Sequence, residues 1–183
     1  MRLTQLERYI PFIILAMFQL TMGNQLCRAL FRHCDLPLMR YSFYRKDALQ
    51  HFRLRLRWLL GRNILIGAGL AAVLSVFILI VAEGSFHPNL LPVWLLTLAL
   101  AVIFSVHHLL LYYLLQPYTP DMTTSNPWFT LLNSLGSIGF LAAFLLRPAP
   151  WGLTITIFLL ALVYFISAIP LVSRYSGSRF SVK

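Results

Sequence analysis

The chain has 183 residues, of which 59% are hydrophobic and only 11% charged, with a mean hydropathy of +0.76 and a formal net charge of +10. That balance excludes an ordinary globular domain in water, and it turns the basic excess away from nucleic acid and toward anionic lipid and loops held in the cytoplasm. The two cysteines, Cys27 and Cys34, are too few and too oddly spaced for a disulfide framework or a zinc site, and they are read as reduced thiols.

Five apolar runs are long enough to cross about 30 Å of hydrocarbon at about 1.5 Å per helical residue. They cover approximately 9–26, 63–82, 92–115, 128–146 and 151–172. The expectation is a single all-α membrane domain, a polytopic bundle of about five transmembrane helices. The first run is the most polar, with Pro11, Gln19, Asn24 and Gln25. Cys27 and Arg28 follow it where a signal peptide would carry a small-residue cleavage site, so it is read as a span. Between the runs, "EGSFHPN", "QPYTPDMTTSNP" and "RPAP" combine Pro, Gly and short polar residues that stop helices.

Residues 28–62 hold nine of the fifteen basic residues, and Arg174, Arg179 and Lys183 add three more at the C-terminus. Guanidinium groups resist transfer across the bilayer, so both segments are expected on the cytoplasmic side of the cell membrane, with the N-terminus outside and the C-terminus inside. Only Arg2, Arg8 and Arg147 then fall on the opposite side. Within the basic segment Leu49, Phe52, Leu56, Leu59 and Leu60 share one helical face, beside a stripe of Lys46, Gln50, Arg53 and Arg57. This predicts a basic juxtamembrane helix that lies at the interface and leads into the second span. By period 2, "RLRLRW" also fits a short strand. Contact with anionic lipid and docking of a protein partner both suit such a surface. No nucleic-acid-binding signature is present.

Two small-residue patterns predict close helix packing. Gly67, Ala71 and Ser75 recur every four residues in the second span, and the fourth carries Asn133, Gly136, Ser137 and Gly139. A neighbour from this chain, a second membrane subunit or a homodimer would each satisfy them. In the third span His107 and His108 sit where ionisable groups need partners. Their readings are interhelical hydrogen bonds, the polar lining of a path, or a haem or redox site, in that order. Adjacent helical residues point about 100° apart, so the pair cannot chelate one metal well. No phosphate loop and no GxSxG, HExxH or CxxC pattern occurs, and the five acids are scattered. The chain is therefore read as a non-enzyme with no cofactor and no metal.

The stretches "FRHCDLPLMRYSFYRKDALQHFRLRLRWLLGRN" (31–63), "HHLLLYYLLQPYTPDM" (107–122) and "NPWFTLLNSLG" (126–136) together resemble the permeases of ABC-type exporters of Gram-positive bacteria. The shared elements are a CD pair (Cys34, Asp35), an FYR element (Phe43, Tyr44, Arg45), an F-x-x-R element (Phe52, Arg55) and YY-x-x-QPYT (Tyr112, Tyr113, Gln116, Pro117, Tyr118, Thr119). Such permeases are much longer, and this chain matches their later part. The resemblance implies a transport subunit that docks a separate ATP-binding subunit on its cytoplasmic loop, through Asp35, Tyr44, Arg45 and Arg53. A redox subunit using His107 and His108, or a membrane scaffold without transport, are the alternatives.

Overall fold

The computed structural model describes residues 11–21, 23–35, 48–81, 90–118, 126–146 and 148–179. These form helices α1 (Pro11–Leu20), α2 (Gly23–Leu30) with a π-helical turn at Phe31–Asp35, α3 (Ala48–Val81), α4 (Leu90–Leu115), α5 (Pro127–Asn133), α6 (Leu135–Leu146) and α7 (Pro150–Arg179). The protein is an all-α helix bundle. Among the described residues, four stretches are long and apolar enough to cross a membrane: Leu49–Ile80, Leu90–Leu115, Pro127–Leu146 and Pro150–Tyr175.

Helix α4 is the axis of the bundle. It is apolar nearly all round, the pattern of a helix enclosed by others, and it also carries Thr97, Ser105, His107, His108, Tyr112 and Tyr113, all buried. Polar side chains at bilayer depth face protein because lipid offers them no partner. The surrounding helices turn Leu65, Val73, Ile80, Leu145, Leu146, Val163 and Ile166 outward, as lipid-facing surfaces do.

Side-chain pairs along α4 fix the direction of every neighbour. Asn63 Nδ2 donates to Ser105 Oγ at 2.8 Å and Trp94 Nε1 to Ser75 Oγ at 2.9 Å, so α3 runs antiparallel to α4. Thr154 Oγ1 reaches the Pro92 carbonyl at 3.3 Å while Tyr164 meets His107 at 2.9 Å, so α7 runs parallel. The N-terminal helices also run parallel, from Phe18 against Phe104 to Phe31 against Tyr118. The α5–α6 span returns, with Phe129 against Tyr118 and Gly136 against Phe18. One end of the bundle therefore gathers 28–35, the start of α3, Gln116–Tyr118 and the end of α7. All the described arginines (28, 32, 53, 55, 57, 62, 174 and 179) lie in that half.

Two elements differ from the sequence expectation. The first span, expected over 9–26, is divided: α1 has only 10 residues, about 15 Å or half the hydrocarbon thickness. Thr21 Oγ1 returns to the Phe18 carbonyl at 3.2 Å, a local bond that competes with the helix, and Gly23 follows with the weakest non-proline helix propensity. Helical structure then continues to Asp35, well past the expected end. The basic helix, expected at the interface, instead runs without interruption into the second span as one 34-residue helix of about 51 Å. That exceeds the hydrocarbon thickness by about 20 Å, so its basic first turns project beyond the apolar core. No Pro lies between Phe52 and Ile64 to break it, and the lone Gly61 is tolerated inside the helix. Phe52, Leu56 and Leu59 are buried and Arg53, Arg57 and Trp58 exposed, the face the sequence pattern implies.

Candidate functional site

Two polar constellations occupy the bundle. At the basic end the π-helical turn points Asp35 inward, where its carboxylate takes both arms of Arg55, at 2.9 Å and 2.5 Å. Tyr112 also donates to Asp35, and Arg55 donates to the Tyr113 hydroxyl at 3.0 Å. Asp35 is fully buried and the Arg55 side chain only 13% exposed. Phe52 packs edge-on against Tyr113, with ring centroids 5.3 Å apart. Gln116 adopts a left-handed conformation (φ 42°) with its N–H on the Tyr112 carbonyl at 3.2 Å, which ends α4 and, with Pro117, folds Tyr118 back between Phe31 and Phe129. Burial holds the Tyr118 phenol well above its usual range, so it stays neutral.

The sequence grouped Asp35 with Tyr44, Arg45 and Arg53 as a docking surface. The structure places Asp35 inside, with its carboxylate committed to Arg55 and Tyr112, so it presents nothing to a partner. Arg53 is exposed on the opposite face of α3. Tyr44 and Arg45 lie outside the described residues. Only the F-x-x-R element marks Arg55 in the sequence, because nothing in local spacing ties it to a residue 20 positions earlier. The CD, F-x-x-R and YY-x-x-QPYT elements, spread from Asp35 to Tyr118, meet here in one cluster.

The second constellation lies nearer mid-bilayer. His107 Nε2 is 3.0 Å from the Leu132 carbonyl and Nδ1 2.9 Å from the Tyr164 hydroxyl. A carbonyl only accepts, so Nε2 carries the proton and donates to Leu132, and Nδ1 accepts from Tyr164. The turn at Ser134 interrupts the α5–α6 span beside Leu132, and His107 is a second donor to the Leu132 carbonyl beside the backbone N–H that caps the helix. His108 is also buried, stacked near Phe18 and Phe104 with Gly23 beneath it, and neither ring nitrogen has a hydrogen-bond partner among the described residues. Asn133 is its polar neighbour from the α5–α6 span, and the Asn133 Oδ1 is likewise without a hydrogen-bond partner among the described residues.

This asymmetry sets an expectation. Replacing His107 by Leu leaves the half-buried Tyr164 hydroxyl without its acceptor and takes one of two donors from the Leu132 carbonyl, which keeps its backbone N–H, at about 1–3 kcal/mol for the group left unpaired. His108→Leu breaks no hydrogen bond and removes two orphaned nitrogens, so its thermal melting shift is expected to be the smaller of the two. A larger loss from His108→Leu would contradict the assignment.

The small-residue seam faces α4 of the same chain. Ala71 is fully buried, and a Cβ added at Gly67 would lie 3.2 Å from the Thr97 carbonyl oxygen. Gly136 admits the ring of Phe18. Between α6 and α7, with Gly136, His107 and Tyr164 on its wall, is a largely apolar cavity of about 520 Å³. Comparisons with protein-family models, with curated proteins and with solved structures find no match for this chain.

Proposed function

We propose that the chain is a permease-like membrane subunit of an ABC-type exporter, coupled at its basic end to a separate ATP-binding subunit. The observation that carries this reading is the convergence of three separated sequence elements on the Asp35–Arg55–Tyr112–Tyr113 cluster. That cluster ties the N-terminal segment, α3 and α4 together at the end where α3 projects its exposed Arg53 and Arg57. A load applied to this basic face passes through Arg55 into Asp35 and Tyr113, and so into two further helices at once. The basic end is cytoplasmic in this reading, the N-terminus external, and the membrane the cell membrane, with anionic lipid headgroups around the arginines. The apolar outward faces of α3 and α7 leave room for a second membrane subunit or a second copy.

Co-purification with an ATP-binding subunit encoded beside this chain tests it. Arg53→Glu combined with Arg57→Glu is expected to weaken capture by roughly tenfold or more, as reversal of charges facing a partner does. Because both side chains are exposed, the melting temperature is expected to stay nearly unchanged. Capture and ATPase stimulation that survive the reversal would argue against docking on this face.

A further inference from the structure

The cavity between α6 and α7 has the volume of a small-molecule site, about 520 Å³. Its walls recede because Gly139 and Gly152 contribute no side chains and a Cβ at either would meet nothing within 4 Å. It extends along α7 from Gly152 to Tyr164, about 18 Å at the helical rise, which is close to the half-thickness of the hydrocarbon core, about 15 Å. Its length therefore matches one apolar chain lying along the bilayer normal. Helix α6 leans on α1 and α7 on α4, so the cavity occupies the wedge between α6 and α7.

Its interhelical polar pair lies at one end; the other hydroxyl on its wall, Thr156, is turned onto the Gly152 carbonyl of its own helix at 2.8 Å. The Leu132 carbonyl fixes the His107 proton on Nε2, and that in turn obliges the Tyr164 hydroxyl to spend its only proton on Nδ1. What Tyr164 has left is an oxygen that accepts. A ligand group at that position must donate a hydrogen bond, which a hydroxyl does and an ionised carboxylate cannot. Tyr164 also lies ten residues, about 15 Å, short of Arg174 along α7, a depth at which a charged headgroup is costly.

We propose that this cavity binds a neutral single-chain amphiphile from the surrounding bilayer, a long-chain alcohol in chemical class, with its hydroxyl on Tyr164 and its chain running toward Gly152. The site stands independently of coupling to an ATP-binding subunit, and it is tested on the protein alone.

The experiment is photolabelling of the purified chain in lipid nanodiscs with three diazirine probes of equal length: a long-chain alcohol, the corresponding carboxylate and the hydrocarbon. The alcohol is expected to label 135–146 and 150–164, to be competed by unlabelled hexadecanol, and to exceed the other two by roughly fivefold, the equivalent of one net hydrogen bond. A Cβ at Gly139 meets nothing within 4 Å, so Gly139→Trp fills the cavity without a clash in the bundle and is expected to abolish labelling. Tyr164→Phe is expected to bring the alcohol down to the level of the hydrocarbon. Equal labelling by all three probes in the unmodified protein, or labelling that persists in Gly139→Trp, would overturn the proposal.

Discussion

Asp35→Ala is expected to destabilise the bundle by about 3–5 kcal/mol, because it leaves the Arg55 guanidinium desolvated with its bidentate partner gone. Arg55→Met should cost a similar amount by the mirror argument, stranding a fully buried carboxylate whose remaining donor is Tyr112. The double variant Asp35→Ala/Arg55→Met removes both charges together. It is expected to lose clearly less than the sum of the single losses, since an apolar pair in place of a buried ion pair is often close to neutral. Thermal melts of the four proteins in one detergent read this cycle. Additive losses would show that the two side chains are not coupled. The restored double variant should also separate folding from coupling: the bundle recovers, while the mechanical tie between the N-terminal segment and α3 does not.

Gly23→Ala is the second large effect. A Cβ at that position would overlap the imidazole of His108, which cannot step aside because Phe18 and Phe104 flank it and it is only 3% exposed. Overpacking of this kind costs about 1–3 kcal/mol. The companion substitution His108→Ala removes the obstructing ring, so Gly23→Ala/His108→Ala is expected to be more stable than Gly23→Ala alone. If the second substitution only adds to the loss, α2 does not approach α4 at this point.

Much of the frame is legible in the residues. Apolar length locates the four long spans, and helical periodicity over 48–60 puts Phe52, Leu56 and Leu59 inside and Arg53 and Arg57 outside. The four-residue spacing of Gly67, Ala71 and Ser75 marks a contact face, although only the structure shows that α4 supplies the other side. The central place of α4 could not be read, because a helix apolar all round announces burial without naming its neighbours. Thr21 and Gly23 carry a weak local signal for the break between α1 and α2. An apolar run hides such a break when hydropathy is averaged along it.

The polar sites follow the same division. His107 reads as a residue in need of interhelical partners, and it has two. Its neighbour His108 carries the same expectation and has none among the described residues, since one residue along a helix is a turn of about 100° into a different environment. Asp35 looks like part of a charged surface because the basic residues around it dominate the pattern. Its burial depends on a π-helical turn, and no propensity scale anticipates that turn.

In the proposed arrangement the arginine-bearing end, with its buried Asp35–Arg55 tie, faces the cytoplasm. Cys34 stands at that end and is exposed, while Cys27, the only other cysteine, is buried. Labelling of intact cells and of inside-out membrane vesicles with a membrane-impermeant maleimide therefore reports sidedness without any engineered probe, with Cys34→Ser as the blank. Modification of Cys34 in inside-out vesicles and protection in intact cells is the predicted result; modification from the outside of intact cells would contradict it.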